Sequence, residues 1–423
     1  MEKLKIGILT EWFWPLIGGP AIHTYELIEW LIQKGHEVHL LIFPTDYSKL
    51  SKRDLLDLPC IVHCIRYPER GNFYGDYTDK WTFIFEMAFR NARYVWDLNL
   101  DILHGHTPMS SYLTTVLGKM INLPTLITLH LNVNLALSIA KKCISRCQYM
   151  EIDKCLGCDG ITDEKIWNIG IKKFFIQSAD RIITPSVLIK NILIKHYKFK
   201  DNVSCVPFWV DLSRFELPRK DAALLKKFKI NKKQRAILYC GHILKIKGVE
   251  YLIRAMPEIL KKVTNCKLLI TGKIYHKDRF YINIRNLIKQ LKIENDVVFV
   301  GRVEYGSIPK LYSIADLLIL PSLEEAQPLV LLEAMAAKIP IIANSLDTIK
   351  EFIDDGKNGI LVNEGNSEEI SKAAIRIFKS NRLRQRLVQN GYGTVEEKFS
   401  KDRIIPKILK VYKQEISNYF HKP

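Results

Sequence analysis

Two glutamates beside a predicted helix could bind a ligand that carries hydroxyl groups at both ends. Glu325 and Glu333 lie in the stretch PSLEEAQPLVLLEAMAAKIP (321–340), with seven residues between them. Pro328 lacks a backbone N–H and therefore suits the first turn of a helix, where that group would have no partner. A carboxylate accepts two hydrogen bonds at fixed spacing, so each glutamate could hold a pair of sugar hydroxyls.

The helix that follows Pro328 predicts an anion site between these carboxylates. Residues 329–338 are strong helix formers, and Pro340 ends the run. The amides of Leu329 and Val330 would have no helical acceptor, and the helix dipole would add positive potential there. A nucleoside diphosphate with a sugar at each end would satisfy the whole arrangement. Spacing alone also allows an ordinary buried helix with two capping or surface glutamates.

This stretch resembles the signature of glycosyltransferase family 4, and the resemblance extends through nearly the whole chain. It implies that Glu325, in the loop, contacts the donor sugar and that Glu333, in the helix, binds the ribose. It also implies the retaining transfer of a hexose from a nucleoside-diphosphate sugar to a glycan or a lipid-linked acceptor. The donor is expected to be a UDP- or GDP-hexose.

The stretch AILYCGHILKIKG supplies a lysine for the diphosphate. Lys247 stands beside a predicted helix start and matches the family's lysine, and its compact charge with three donors suits a phosphate. We therefore expect it to stabilise the leaving diphosphate. His242 stands where the family normally has arginine, so diphosphate binding is expected to depend also on Lys245 or on protonated His242. The resemblance assigns three further nucleotide contacts, which follow the next two strands: Gly272, Arg302 and Val303.

Glycines and histidines of the amino-terminal half follow other predicted strands. Gly18 and Gly19 precede a helix predicted from about Ala21, and the resemblance implies that this turn faces the donor diphosphate. A plain turn is the alternative. His106 and His130 end two more strands, at the edge where parallel sheets bind ligands. By resemblance His130 contacts the donor sugar. His106 is the second candidate, as an acceptor contact, and the alternative for each is a hydrogen-bonded core histidine.

Four cysteines in two close pairs could bind zinc tetrahedrally. Their spacing is uneven and shorter than in common zinc fingers, so a disulfide or free thiols are the alternatives. Any zinc there would be structural, and no catalytic metal is expected because no Asp-x-Asp pair stands beside the diphosphate site. The four are Cys143, Cys147, Cys155 and Cys158.

The composition is that of a globular protein whose positive charge suits anionic partners or, as the alternative, reflects in part a lysine- and isoleucine-rich genome. The 423 residues carry a formal net charge of +18, and most of the excess lies after residue 200. Such a charge suits anionic lipid, nucleic acid or a phosphorylated ligand, and no nucleic-acid module is recognisable. The basic helix predicted over 187–200 is expected either to contact an anionic membrane or to be a solvated face over a core. Nine cysteines without a secretory signal favour a cytoplasmic protein, and the basic character adds a peripheral position on the inner membrane face as an option.

Strands and helices alternate along the chain, which predicts parallel sheets covered by helices. The resemblance implies an α/β protein of the GT-B architecture, with two facing Rossmann-like domains and a donor cleft between them. We predict an amino-terminal domain over 1–210 and a nucleotide-sugar-binding domain over 211–398, which begins with a charged linker up to Arg235. A final helix over 399–423 is expected to cross back to the first domain. Lys338 is expected in a left-handed helix cap, at a cost of about 1 kcal/mol.

Two other function classes stay open at this point. A GT-B nucleotide-sugar epimerase would need no external acceptor, so products formed from the donor alone would distinguish it. A non-catalytic protein that binds membranes or nucleic acid could keep the fold alone. The presence of Glu325, Glu333 and Lys247 argues against that class, whereas His242 in place of arginine weakens the argument.

Overall fold

The chain folds into two units, each a parallel sheet with helices. One unit comprises Met1–Pro207 together with Ile405–Pro423, and the other comprises Phe208–Ile404. The α/β class expected from the alternation of strands and helices is therefore confirmed. The computed structural model describes residues 3–11, 13, 19–42, 60–66, 80–130, 176–195, 199, 202–218, 220–228, 230–231, 234–274 and 278–420.

The first unit is built on a seven-stranded parallel sheet in the order β3-β2-β1-β4-β5-β6-β7. Runs such as KIGILT in its first strand are almost wholly buried, as expected for a parallel sheet with helices on both faces. The strands are β1 Lys5–Thr10, β2 Glu37–Ile42, β3 Ile61–Cys64, β4 Ile102–Gly105, β5 Thr125–Thr128, β6 Arg181–Thr184 and β7 Val203–Cys205. The first helices of the unit are α1 Gly19–Gln33, α2 Lys80–Asp97, α3 Pro108–Ile121 and α4 Val187–Lys195.

The second unit is built on a six-stranded parallel sheet in the order β10-β9-β8-β11-β12-β13. Its core is almost entirely aliphatic, so the sheet and helices are held mainly by apolar burial. The strands are β8 Arg235–Cys240, β9 Cys266–Thr271, β10 Val297–Gly301, β11 Leu317–Leu320, β12 Ile341–Asn344 and β13 Ile360–Val362. The helices are α5 Ala222–Lys227, α6 Val249–Lys262, α7 Arg279–Gln290, α8 Ile308–Ile314, α9 Leu329–Ala336, α10 Asp347–Lys350, α11 Ser367–Lys379 and α12 Asn381–Lys398.

The last helix, α13, covers Lys401–Phe420, and its residues from Ile405 onward belong to the first unit. Arg181 Nε donates to Glu415 Oε2 at 2.9 Å, which ties the helix to strand β6. The side chain of Glu415 is almost fully buried, so this ion pair is shielded from water. The carboxyl end of the described chain is thus an integral part of the first unit.

The strand order reverses at one point in each sheet, between β1 and β4 and between β8 and β11. In open parallel sheets, ligands bind outside the carboxyl ends of the strands at such a point. His106 follows β4, Lys247 follows β8 and Glu325 follows β11. These three predicted site residues therefore follow strands at the reversal point of their own sheet.

Several predicted boundaries need correction. Gly19 is the first residue of α1 and not part of the preceding turn, because the helix begins two residues earlier than expected. The described residues of the segment 211–235, expected as a charged linker, include two folded elements of the second unit. Asp211 caps a 3-10 helix at Leu212–Phe215, and Asp221 caps α5 by accepting a hydrogen bond from the amide of Leu224.

Lys338 is left-handed, as expected from the sequence. Its φ is +57°, just after the end of α9. Its Nζ lies 4.5 Å from the ring centroid of Tyr392, and this cation–π contact offsets part of the backbone strain. The structure thus accommodates a lysine at a position where glycine would be free of strain.

The basic helix expected over 187–200 is described as α4, Val187–Lys195. Its apolar residues Ile189 and Leu193 are buried in the first unit, which is the arrangement of a solvated face over a core. Among the described residues, no helix combines the length and the apolarity that a membrane crossing needs.

Candidate functional site

The amino terminus of α9 presents two unpaired amides. Pro328 is the N-cap residue and has no N–H to offer, and its carbonyl accepts from the amide of Leu331 at 3.1 Å. The amides of Leu329 and Val330, both in half-buried residues, have no acceptor among the described residues. Two aligned N–H groups at the positive end of the helix dipole can bind an anionic oxygen.

Glu325 lies in the loop just before this helix, as predicted. Its backbone carbonyl accepts a hydrogen bond from Thr348 Oγ1 at 2.7 Å, so the loop is anchored independently of the carboxylate. The carboxylate Oε1 lies 2.8 Å from Lys247 Nζ, and the two side chains are only 11% and 30% exposed. The structure therefore brings together an acid and a base that stand 78 residues apart in the sequence.

The loop that carries Lys247 requires a glycine. Lys247 ends a short 3-10 helix, and Gly248 follows it with a φ of +65°. A Cβ atom added at Gly248 would lie 1.9 Å from the carbonyl oxygen of Pro321, in the loop that leads to Glu325. The amide of Leu323 also donates to the carbonyl of Ile246 at 2.8 Å. Close backbone contact thus positions the lysine against the glutamate.

Replacing Gly248 with alanine is expected to destabilise the second unit. The left-handed conformation alone costs about 1–2 kcal/mol for a residue with a Cβ, and relief of the clash with Pro321 must also move the glutamate loop. Calorimetry should show a lower melting temperature for Gly248→Ala. Gly393→Ala is the matched control, because nothing lies within 4 Å of its added Cβ and it is in the interior of α12. Equal melting temperatures for the two variants would contradict this packing.

Gly272 brings two strand ends together in the same unit. It has a φ of +141°, and an added Cβ would lie 2.0 Å from the carbonyl oxygen of Gly241. Gly272 therefore has a structural reason for its position beside the loop that follows β8. Arg302 and Val303 follow β10 directly, with Arg302 exposed and Val303 half-buried.

His242 has a lowered pKa, which favours the neutral imidazole near pH 7 and makes protonated His242 the less favoured of the two predicted alternatives. Burial lowers its pKa, and the nearby cations of Lys247, Lys273 and Arg302 lower it further. A neutral imidazole can offer one N–H but no charge, so the positive charge around this position comes from these neighbours. Lys245, the other predicted contact, is exposed on the 3-10 helix.

Glu333 is held by a tyrosine that the sequence analysis missed. It lies in the second turn of α9, is only 8% exposed, and its Oε2 accepts a hydrogen bond from Tyr312 OH at 2.7 Å. Burial, followed by the charge of Glu333, raises the pKa of Tyr312 well above its usual value, so the hydroxyl stays a donor. The contact fixes the orientation of the carboxylate, and no local motif in the sequence relates the two residues.

Histidines gather at the carboxyl ends of β4 and β5 in the first unit. His106 Nδ1 lies 3.3 Å from His130 Nε2, and His106 Nε2 lies 3.1 Å from His104 Nδ1. Burial lowers the pKa of all three, to about 3 for His130. The two histidines predicted to contact sugars are therefore adjacent, neutral and in contact with each other.

A fourth histidine, His23 of α1, completes a group that could hold a metal ion. One ring nitrogen from each of His23, His106 and His130 lies within 4.8 Å of the other two. Neutral imidazoles are metal ligands, so these three histidines are the candidate metal ligands in the described part of the chain. The zinc site predicted for the cysteines Cys143, Cys147, Cys155 and Cys158 lies outside the described residues, as does Gly18.

Glu11 is a buried acid that the sequence analysis did not single out. It follows β1, and its Oε1 accepts from the amide of Ser110 at 2.8 Å and from Thr107 Oγ1 at 3.2 Å. The carboxylate thus occupies the amino terminus of α3, where a helix favours negative charge. That terminus already has its anion, in contrast to the amino terminus of α9.

Two family models match the chain one after the other. The model described as Glycosyltransferase Family 4 matches residues 17–214, and the model described as Glycosyl transferases group 1 matches residues 221–394. The first match covers most of the residues of the first unit that precede residue 208, and the second match covers most of the second unit.

Relatives match along nearly the whole chain. An uncharacterized glycosyltransferase of Methanocaldococcus jannaschii is 28% identical over 97% of this chain and 98% of its own. N-acetyl-alpha-D-glucosaminyl L-malate synthase of Bacillus anthracis is 25% identical over 97% of each chain. Alpha-monoglucosyldiacylglycerol synthase of Acholeplasma laidlawii is 26% identical over 92% of this chain and 91% of its own.

Solved structures share the fold at low identity. Sucrose-phosphate synthase from Thermosynechococcus elongatus superposes with a TM-score of 0.75 at 19% identity, covering 98% of this chain and all of its own. Anabaena HepE, solved in complex with UDP and glucose, superposes with a TM-score of 0.75 at 14% identity, covering 97% of this chain and all of its own.

Proposed function

Because this chain belongs to glycosyltransferase family 4 and has the two-domain GT-B fold, we propose that it transfers a hexose from a nucleoside-diphosphate sugar with retention of configuration. The acceptor is a glycan or a lipid-linked molecule. The observation that carries this proposal is the Lys247–Glu325 pair, whose glutamate lies in the loop that leads to the helix start where the amides of Leu329 and Val330 have no acceptor among the described residues.

The second unit offers what a departing diphosphate requires. Charge develops on the phosphate oxygens as the glycosidic bond breaks, and donors fixed in advance stabilise it most effectively. The amides of Leu329 and Val330 and the ammonium group of Lys247 are such donors. Both amides are rigid because they belong to the helix backbone, so little reorganisation is needed when the charge appears.

Binding of the donor would exchange the partners of the ion pair. Lys247 Nζ is 2.8 Å from Glu325 Oε1. A diphosphate carries more negative charge than one carboxylate and would attract the lysine. The carboxylate of Glu325 could then accept hydrogen bonds from the sugar hydroxyls, which would orient the anomeric carbon for transfer.

Glu333 would bind the ribose. A carboxylate accepts from two vicinal hydroxyls, and the bond from Tyr312 leaves the orientation of this carboxylate fixed before the ligand arrives. Preorganisation of this kind reduces the entropic cost of binding. His130 of the first unit would contact the hexose, and its lowered pKa makes it a neutral hydrogen-bonding partner.

The names of the relatives suggest the acceptor and donor classes to test first. The product named for the Acholeplasma laidlawii relative is a glycolipid, that for the Bacillus anthracis relative is a small hydroxy acid glycoside, and HepE binds UDP. A lipid-linked acceptor would agree with the net charge of +18, which favours peripheral contact with an anionic membrane. Sedimentation with vesicles that contain phosphatidylglycerol, compared with neutral vesicles, tests that contact.

A nucleotide screen followed by product analysis tests the function. We expect UDP, GDP or ADP to raise the melting temperature, because a ligand that binds only the folded state stabilises it by mass action. The matching nucleotide sugar, incubated with lipid and glycan acceptors, should yield a product with the same anomeric configuration as the donor, which NMR identifies. The proposal would be contradicted if none of the three nucleotides raised the melting temperature. Formation of an epimeric nucleotide sugar from the donor, without any acceptor, would point to an epimerase.

Replacing His242 with arginine is expected to tighten nucleotide binding. A guanidinium group would add a permanent charge and a two-pronged donor where the neutral imidazole offers neither, so the Kd for the preferred nucleoside diphosphate should fall about tenfold. Isothermal titration calorimetry measures the effect. His242→Gln is the control and should change the Kd little, because it keeps a neutral polar side chain. A weaker affinity in His242→Arg would place His242 away from the phosphates.

A further inference from the structure

Backbone hydrogen bonds join the loop that follows β8 to the loop that follows β9. The amide of Gly241 donates to the carbonyl of Thr271 at 2.9 Å, and the amide of Ile243 donates to the carbonyl of Lys273 at 3.3 Å. His242 stands between the two donors in the chain. These bonds therefore place the backbone of His242 beside that of Lys273.

The loop that follows β10 is joined to the other side of the β9 loop. The carbonyl of Gly301 accepts from the amide of Gly272 at 3.0 Å and from Thr271 Oγ1 at 2.9 Å. Arg302 comes next in the chain, and β9 lies between β8 and β10 in the sheet. Lys273 therefore stands in the middle loop of three, at the carboxyl edge of these strands.

The cations of these loops act together on one position. Burial lowers the pKa of His242, and the charges of three residues lower it further: Lys247, Lys273 and Arg302. A like charge has such an effect only when it lies nearby. The Lys273 side chain is also exposed, so its ammonium group is accessible to a ligand at this edge of the sheet.

The chemistry of a diphosphate asks for more than one cation here. Its several anionic oxygens exceed what the three donors of the Lys247 ammonium can neutralise, and His242 stands where arginine would add a second charge. A lysine carries its charge on a long flexible stem and can bind a phosphate from a neighbouring loop. Lys273 has both the position and the charge for this role.

We propose that Lys273 binds the diphosphate of the donor and supplies the cation that His242, in place of the family's arginine, does not. Lys247 would hold the phosphates from the side of α6, and Lys273 from the side of the β9 loop. The inference rests on the proposed function for the nucleotide that carries the phosphates. It does not rest on that function for the affinity for the phosphates themselves.

Inorganic pyrophosphate tests this proposal without a choice of base or sugar. Isothermal titration calorimetry of the full chain measures its Kd, together with that of whichever of UDP, GDP and ADP raises the melting temperature. Physiological ionic strength suppresses diffuse binding to the basic surface. We expect Lys273→Met to raise both Kd values about tenfold, because a hydrogen bond between charged groups is lost. The melting temperature without ligand should stay unchanged, since this side chain is exposed.

Lys267→Met is the matched control. Lys267 lies on the same strand, β9, near its amino end, and its Nζ donates to the carbonyl of Asn295 at 2.7 Å. The six residues between Lys267 and Lys273 span about 20 Å of extended chain, well beyond the Debye length of about 8 Å. Removal of this charge should therefore leave both Kd values unchanged.

An arginine at position 242 should compensate for the loss of Lys273. In the Lys273→Met background, His242→Arg restores a cation on the adjacent loop, so the Kd should return to within about threefold of that of the unsubstituted protein. His242→Gln in the same background adds no charge and should leave the Kd raised. A failure of the arginine to restore affinity would show that Lys273 and position 242 do not serve the same phosphates, and would overturn the proposal.

The remaining outcomes separate this proposal from the proposed function. An equal Kd for pyrophosphate in Lys273→Met and in the unsubstituted protein overturns it, as does a loss of affinity confined to Arg302→Met. Absence of pyrophosphate binding in the unsubstituted protein overturns it as well. A tenfold loss for pyrophosphate in a protein that none of the three nucleotides stabilises supports the role of Lys273 and contradicts the proposed function.

Discussion

Replacing Lys247 with methionine is expected to lower kcat by roughly 100- to 1,000-fold, the range found when one fixed donor to a developing negative charge is removed. Methionine has a similar length and keeps the apolar stem, so packing of the loop should be retained. KM should rise much less, because Lys247 is paired with Glu325 before the donor binds and part of the binding gain is offset by loss of that pair. Steady-state kinetics with the matching donor measures both parameters.

Lys245→Met is the control for this substitution. Lys245 stands on the same 3-10 helix but is exposed, so the loss of its charge should change kcat by less than about threefold. An equal loss in the two variants would assign the diphosphate contact to the whole basic loop and not to Lys247. A large loss in Lys245→Met alone would assign it to Lys245.

Replacing Glu325 with alanine is expected to abolish measurable transfer while the fold stays intact. The carboxylate would no longer orient the hexose, and a misplaced reactant loses on the order of 100-fold or more in rate. The loop should keep its position, because Thr348 Oγ1 donates to the backbone carbonyl of Glu325 and not to its side chain. Circular dichroism and the melting temperature check the fold, and product formation checks the transfer.

Two companion variants sharpen this test. Glu325→Gln keeps the shape and removes the charge, so it separates hydrogen bonding to the sugar from pairing with Lys247. Glu368→Ala breaks an exposed Glu–Lys pair on α11, with Lys372, and should leave activity unchanged, since such pairs contribute little. Turnover of Glu325→Ala at the rate of the unsubstituted protein would remove this residue from the site.

The double variant Lys247→Met with Glu325→Gln measures how far the pair acts as a unit. If the lysine serves the diphosphate and the glutamate serves the sugar, their losses should be nearly additive in free energy. Strongly non-additive losses would indicate that the ion pair itself is needed in the transition state.

Local patterns in the sequence were sufficient to predict where the site residues of the second unit lie. Pro328, the run of helix formers after it and the position of Glu325 before it predict a helix start, because capping and helix propensity depend on neighbours in the chain. The structure confirms that Glu325 is in the loop and Glu333 inside α9. The alternation of strands and helices likewise predicted parallel sheets, since the period of apolar residues is a local property.

The tertiary structure alone decided how these residues are held and charged. Tyr312 reaches Glu333 from 21 residues away, and Tyr412 reaches His104 from 308 residues away. Such pairs form only when distant elements pack, and no spacing rule in the sequence relates them. His242 is a further case: its type allows a cation near pH 7, but burial and three neighbouring cations lower its pKa and favour the neutral form. Secondary structure follows from interactions between near neighbours in the chain, whereas burial and electrostatics depend on every group that the fold brings close.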